Sequence, residues 1–216
     1  MSATIPLWSA DELIVALPGA NAAGPVGPAK GVSIDSRSIE SGDVFIALVG
    51  PNADGHTHVA GALARGATAA IVARKPDDVP SDAPLIRVGD TQIALEMLGR
   101  AARARSAARI AAITGSVGKT GTKEMLAAVL AAQQPTHWST ASYNNQWGVP
   151  LSLARLPREA RFGVFELGMN HSGEIAALTR QVRPDVAIIT TVEAAHLEFF
   201  GGIEEIADAK AEIFQG

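Results

Sequence analysis

Residues 109–130 read RIAAITGSVGKTGTKEMLAAVL, and the fold of the second half of the chain turns on this stretch. The apolar run at 110–113 reads as a buried strand. The turn Thr114-Gly115-Ser116-Val117-Gly118-Lys119-Thr120 follows, and Ala, Leu, Met and Val then return at helical spacing through Leu130. In a strand–turn–helix of this kind the glycines let backbone N–H groups point inward, and the helix N-terminus adds partial positive charge. Phosphate is the ligand that fits. Lys119 is placed to reach the β- and γ-phosphates of a nucleotide, and the Thr120 hydroxyl to sit on Mg²⁺. The strict pattern G-x-x-x-x-G-K-[ST] needs glycine at 113, where this chain has Ile113, so the motif here is T-G-x-x-G-K-T. The bland alternative is an ordinary Gly-rich turn; the GKT ending and its flanks favour a nucleotide.

Composition bounds the rest. With 216 residues, 47% hydrophobic and 19% charged, the chain can bury a sizeable core in one or two domains. A net charge of −4 supplies no global basic field for nucleic acid. The absence of cysteine excludes disulfides and thiol catalysis and suits a reducing compartment. The N-terminal MSATIPLWSADEL has no basic n-region, and no apolar run approaches membrane-spanning length. The expectation is a cytoplasmic protein without a signal peptide or membrane insertion.

Outward from the central turn, the pattern alternates strand and helix. Ser9-x-x-Glu12 is a capping box that opens a short helix ending near Pro18-Gly19. A Gly/Pro/Ala loop covers 19–30, then strands are predicted at 32–34 and 44–49, a turn at 50–56 and a helix at 58–65. Strands at 68–73 and 85–88 and a helix at 91–105 complete a compact mixed unit, with a domain boundary near Ser106. Beyond the 109–130 segment come a strand at 136–140, a polar loop at 141–149, a helix at 150–156 and a strand at 162–167. A helix at 172–183, a strand at 186–192 and a last helix at 203–214 follow. Such alternation predicts a parallel sheet, in which ligands bind beyond the carboxyl ends of the strands. The phosphate turn, Glu166 and His196 all fall at such ends, which points to one active site.

Four stretches of the chain resemble the Mur ligases, the ATP-dependent amide-bond formers of peptidoglycan synthesis. They are DSRSIESGDVFIALVGPNADGHTH, TGSVGKTGTKE, NNQWGVPLSL with FELGMNHSGEI, and TTVEAAHLEFFGG with AKAEIF. The resemblance implies an α/β architecture: a small mixed α/β N-terminal UDP-substrate domain (1–106), then an incomplete P-loop-type parallel-sheet ATPase domain (107–216). It also implies that the chain stops partway through the second of three domains, before a C-terminal domain that closes over ATP. The NNQWGVP and ELGMNHSGEI segments point to the branch of the family whose substrates are UDP-N-acetylmuramoyl-tripeptide and D-alanyl-D-alanine, acting as a monomer.

The site residues follow, each with a plain structural alternative. The turn 114–120 (Thr114, Gly115, Ser116, Val117, Gly118, Lys119, Thr120) is the ATP cradle. Glu166 is either a strand-end carboxylate or a Mg²⁺ ligand beside Thr120. His196, a loop histidine by default, contributes by resemblance to a second magnesium site. Lys210 sits on the last helix, where lysines are normally solvated; the resemblance implies a CO₂-derived carbamate that turns it into a metal ligand. Lys119, Glu166, His196 and Lys210 thus form the catalytic set, and Thr120, Glu166, His196 and Lys210 the metal set. Ser36, Arg37, Asn52, Asp54, Gly55 and His56 are turn and cap formers that by resemblance hold the UDP end of the substrate. Asn144 and Asn145, loop formers by default, by resemblance line the muramoyl-peptide channel, with Asn170 and His171 as supporting or substrate-side groups.

The implied chemistry is phosphorylation of a carboxylate by ATP, then attack of an amine on the acyl phosphate. Charge neutralisation and positioning carry such a reaction. The alternatives are a non-catalytic UDP-sugar or nucleotide-binding module, the sister ligase that adds the third peptide residue, or another P-loop enzyme. The chain has neither an acceptor-site signature of a small kinase nor an N-K-x-D guanine-reading motif.

Overall fold

The computed structural model describes residues 5–140, 143–195 and 199–216. The chain divides into two compact units, Met1–Ala101 and Ala102–Gly216. Among the described residues no helix is long and apolar enough to cross a membrane.

In the first unit, α1 (Ala10–Val15) begins at the predicted capping box: Ser9 Oγ accepts from Glu12 N, and the Glu12 carboxylate accepts from Ser9 N. The strands are β1 (Asn21–Ala23), β2 (Gly31–Ser33), β3 (Asp43–Ile46) and, after α2 (Val59–Ala64), β4 (Ala69–Val72) and β5 (Leu85–Arg87). The sheet order is β1-β5-β4-β3-β2, with β2 to β5 parallel and β1 antiparallel to β5. Phe45, Ala70, Val72 and Leu85 pack on Val59 and Ala62 of α2. The next helix, α3 (Thr91–Arg105), whose last residues 102–105 belong to the second unit, starts where Asp90 Oδ1 accepts from Gln92 N and Ile93 N.

Two expectations need correcting here. The segment 19–30 is not all loop, because β1 lies within it. β1 is a short edge strand made by backbone pairing with Leu85, Ile86 and Arg87, and its largely exposed side chains leave no period-two signal. β3 stops at Ile46 rather than at 49, since Val49 turns away to bridge Asp54 while Gly50 N donates to Ala53 O.

The second unit comprises β6 (Arg109–Thr114), α4 (Lys119–Ala131), β7 (Thr136–Trp138), α5 (Gly148–Ala154), β8 (Phe162–Glu166), α6 (Glu174–Val182), β9 (Val186–Ile189) and α7 (Ile203–Ala211). All strand pairs are parallel, in the order β7-β8-β6-β9. Alternate residues serve opposite faces, as the pleat requires. Ile113, Val164 and Ile188 pack with Ala127, Leu126 and Leu130 of α4, whereas Ile110, Ala112 and Phe165 pack with α5, α6 and α7. Helices thus cover both faces, which buries a parallel sheet.

The helix and strand ends differ from the sequence expectation for local reasons. α5 begins at Gly148, inside the expected 141–149 loop, because Asn145 Oδ1 accepts from Trp147 N and Gly148 N. α6 begins at Glu174, since Gly173 is left-handed at φ 88°, and it ends before Arg183, left-handed at φ 46°. β9 ends at Ile189, opposite Thr114, the last residue of β6. The last helix tightens into a 3-10 turn at Glu212–Phe214.

Candidate active site

The phosphate turn leaves β6 at Thr114 and enters α4 at Lys119, with Gly115 (φ 146°) and Gly118 (φ 81°) both in the region that favours glycine. Lys119 folds back, its Nζ donating to Gly115 O at 2.7 Å and Ser116 O at 3.3 Å. Both acceptors are backbone carbonyls of the turn itself. From the neighbouring strand β8, Glu166 (1% exposed) accepts the Thr120 hydroxyl at Oε2, 2.8 Å, and the Asn144 amide at Oε1, 2.8 Å. Parallel pairing of β6 with β8 sets this meeting, because Ile113 and Glu166 are register partners.

A cleft of ≈ 310 Å³ opens over these groups, lined by Thr114, Lys119, Asn144, Asn170, Glu174 and Lys210 among others. Lys210 is 2% exposed, and burial, reinforced by the charge of Lys119, lowers its amine from 10.5 to about 8. It therefore faces the site rather than bulk solvent. Asn145 also borders the cleft, although its side-chain oxygen is committed to the start of α5. Glu174 organises the opposite wall, accepting from Asn170 N at 2.7 Å, His171 N at 3.3 Å and His171 Nδ1 at 3.2 Å. His196 lies outside the described residues.

The fit of a nucleotide and its metal can be judged from the donors present. Thr114 borders the cleft, and its Oγ1 is buried with no hydrogen-bond partner among the described residues, a polar atom that a ligand would satisfy. The Thr120 hydroxyl and the Glu166 carboxylate are hard oxygen donors of the kind Mg²⁺ takes, with phosphate and water completing its shell. Among the described residues no group of three or more histidine or acidic side chains could hold a metal by itself.

The first-unit residues divide into two local clusters. Asp35 accepts from Arg37 N and grips the Arg37 guanidinium at 2.7–3.2 Å; that side-chain bond, first, holds the Asp35 carboxyl at about 2. Arg37 is nevertheless 86% exposed, and Ser36 opens the 3-10 turn beside it. In the second cluster, Asp54 binds Arg74 at 2.5 Å and His56 Nδ1 at 2.7 Å, and the Arg74 bond is the main cause that holds its carboxyl well below the usual range. His56 is buried, and its Nε2 accepts from Ala73 N at 2.9 Å, so the Nδ1–H tautomer donates to Asp54. A Cβ on Gly55 would stand 2.7 Å from Leu48 O. Asn52 is exposed in the 50–53 turn. His56, Thr57, Arg74 and Lys75 border a cleft of ≈ 510 Å³.

Sequence reasoning missed several contributors. Arg74 follows an apolar strand and looks like surface charge. Lys123 is wholly buried on α4, its Nζ donating to Ser139 O at 2.7 Å, where the helical pattern offers only one more cation. Thr190 and Thr191 follow β9 and open the TTVEAAHLEFFGG stretch, but nothing local in the sequence says that both bond the phosphate turn.

The catalytic-domain profile of the Mur ligase family matches residues 28–132, and the profile of the Mur ligase middle domain matches residues 113–216. The UDP-N-acetylmuramoyl-tripeptide–D-alanyl-D-alanine ligase of Rickettsia prowazekii is 40% identical over 209 residues, covering 97% of this chain and 46% of the relative. The crystal structure of MurF from Acinetobacter baumannii superposes with a TM-score of 0.84 at 40% identity, over 98% of this chain and 47% of that one. MurF ligase from Thermotoga maritima, solved in complex with ADP, superposes with a TM-score of 0.72 at 33% identity, over 85% and 42% of the two chains. This chain spans less than half the length of each of these relatives.

Proposed function

This chain belongs to the Mur ligase family, and from that premise we propose that the whole protein joins D-alanyl-D-alanine to UDP-N-acetylmuramoyl-tripeptide at the expense of ATP, in the cytoplasm, for peptidoglycan synthesis. Residues 1–106 are assigned to the UDP-linked substrate, through Ser36, Arg37 and the 52–56 turn. Residues 107–216 are assigned to ATP and the reacting carboxylate.

The carboxylate at the end of the tripeptide attacks the γ-phosphorus, and the bond from that phosphorus to the bridging oxygen of ADP breaks. The amine of D-alanyl-D-alanine then attacks the acyl carbon, phosphate leaves, and the amine gives up a proton as the amide forms. Two anions must meet in the first step, so positive charge fixed in place is the main requirement. Lys119 supplies it over the turn, and the N-terminus of α4 adds to it. Thr120 and Glu166 would hold Mg²⁺, which when bound neutralises charge on the β- and γ-phosphate oxygens. His196 and Lys210, the latter as a carbamate, are assigned to a second magnesium. Asn144 and Asn170 are assigned to the muramoyl-peptide.

The observation that carries this reading is the 2.8 Å bond from Thr120 Oγ1 to the buried Glu166 carboxylate, next in the chain to an ammonium bonded to the Gly115 and Ser116 carbonyls. The test is phosphate release by the whole protein with ATP and both substrates. Lys119→Ala is expected to abolish it; retained turnover would refute the role of Lys119. The compact first unit, with its own core, favours a second reading for the 216-residue chain taken alone, a module that holds the UDP-linked substrate. Calorimetry with UDP-N-acetylmuramoyl-tripeptide and with ATP, each alone, separates the two.

A further inference from the structure

The phosphate turn does not stand by itself. In the segment 190–193, which leaves β9, Thr190, Thr191 and Glu193 are each bonded to it. Thr190 N donates to Thr114 O at 2.9 Å, and the Thr190 hydroxyl lies 2.6 Å from Val117 O and 3.2 Å from Thr114 O. Ser116 N donates to Thr191 O at 2.9 Å, and Val117 N to Thr191 Oγ1 at 3.2 Å. The Ser116 hydroxyl accepts from Glu193 N at 2.9 Å and reaches Glu193 O at 3.1 Å.

We propose that Thr190 and Thr191 are positioning residues that set the phosphate turn, and that the turn receives phosphate on the amides that open α4, residues 118–121, rather than on those of Ser116 and Val117. This rests on the nucleotide reading above. The sequence departure at Ile113 gives the physical reason. Ile113 and Thr114 stay in the sheet, paired with Ile188 and Ile189, so the turn starts later than the strict motif allows. A shorter turn has fewer backbone groups to brace its own apex, and the 190–193 strap braces it from outside. The bracing takes up the Ser116 and Val117 amides, two donors that could otherwise face an anion. The amides of residues 118–121 open α4 and have no acceptor within the helix, whose first internal bond is Thr122 N to Gly118 O.

Gly115 fits the same account. A Cβ there would lie 1.9 Å from Thr190 Oγ1 and 3.0 Å from Thr191 N. The first glycine of this motif thus makes room for the strap, whereas a Cβ on Gly118 would come no nearer than 3.9 Å to Thr190.

The test has two arms. In the whole protein, Thr190→Val removes the hydroxyl at nearly constant volume. It should raise KM for ATP about tenfold, the loss of roughly one hydrogen bond, with kcat at saturating ATP held within about twofold. KM for the muramoyl-peptide should not move, and Thr190→Ser should restore the ATP value. Wild-type behaviour of Thr190→Val, or equal loss in Thr190→Ser, overturns the proposal. The second arm is amide hydrogen exchange without nucleotide. Ser116 and Val117 should be protected and residues 118–121 open, and Thr191→Val should release Val117 while leaving Ser116 protected. Free exchange at Ser116 and Val117 in the wild type overturns the strap whatever the kinetics. Failure of the wild-type whole protein to bind ATP, with the protection intact, instead overturns the nucleotide reading and the ligand assigned to these amides.

Discussion

Thr120 and Glu166 stand 46 residues apart in the chain, and the hydroxyl of one lies 2.8 Å from the carboxylate of the other. The pair joins the first turn of α4 to the end of β8 across the mouth of the phosphate turn. A hydroxyl that donates to a carboxylate here can equally turn its lone pairs to a cation, so the contact is consistent with a metal seat whose protein ligands are already aligned.

Glu166→Gln keeps the shape and the Asn144 neighbour but removes the charge. Turnover of the whole protein should fall by roughly a hundredfold or more, in line with the loss of a charge-stabilising group. The required Mg²⁺ concentration should rise with it. A magnesium titration of activity checks this, and an unchanged midpoint would remove Glu166 from the metal site.

Lys210 ties stability to pH. Its amine sits at about 8 in the folded chain, below its ordinary 10.5, because burial first and Lys119 second disfavour the charge. Below pH 8 both folded and unfolded chains hold the proton, and the folded state bears the whole penalty. Between about 8 and 10.5 the unfolded chain binds more proton, so stability rises with pH through that window. Lys210→Met should be more stable than wild type at pH 7, with the difference shrinking toward pH 10. Urea midpoints across that range, without metal, report it. The same readily deprotonated amine can add CO₂ with formation of an N–C bond and release of a proton. A carbamate carbon resonance with ¹³C-bicarbonate is expected for the wild type and not for Lys210→Met.

His56 is predicted to matter for folding as much as for ligand. His56→Ala leaves Ala73 N–H without its acceptor, takes a donor from Asp54 and opens a cavity at a side chain that is 2% exposed. Loss of about 2–4 kcal/mol is expected from the cavity and the unsatisfied amide together. Urea denaturation measures it; a change below about 0.5 kcal/mol, the range of a surface substitution, would show that the imidazole is not a bracket between the 54–56 turn and the end of β4.

Much of the site was legible because its parts are local. The glycines and GKT of the phosphate turn, the strand-end carboxylate and the capping box at Ser9 each declare themselves within a few residues. What escaped notice was long-range. β1 has no side-chain pattern because an edge strand needs only a neighbour's backbone. Arg74 and Lys123 look like ordinary cations until their partners, 20 and 16 residues away, are brought to them. Arg103 likewise reads as a dipole-matching charge at the end of its own helix. In the fold its guanidinium donates to Val182 O and Arg183 O, capping the C-terminus of α6 instead.

The amino-acid sequence by itself determined the strand and helix alternation, the parallel sheet and the strand–turn–helix around residues 114–120, since period and turn chemistry act over one or two turns of chain. Only the tertiary structure decided which amides of that turn remain available, that Lys210 faces the cleft, and that His56 is a bracket in its own unit. Those outcomes depend on register and burial, and a hydrogen bond or a desolvated amine is defined by what packs against it, not by what precedes it along the chain.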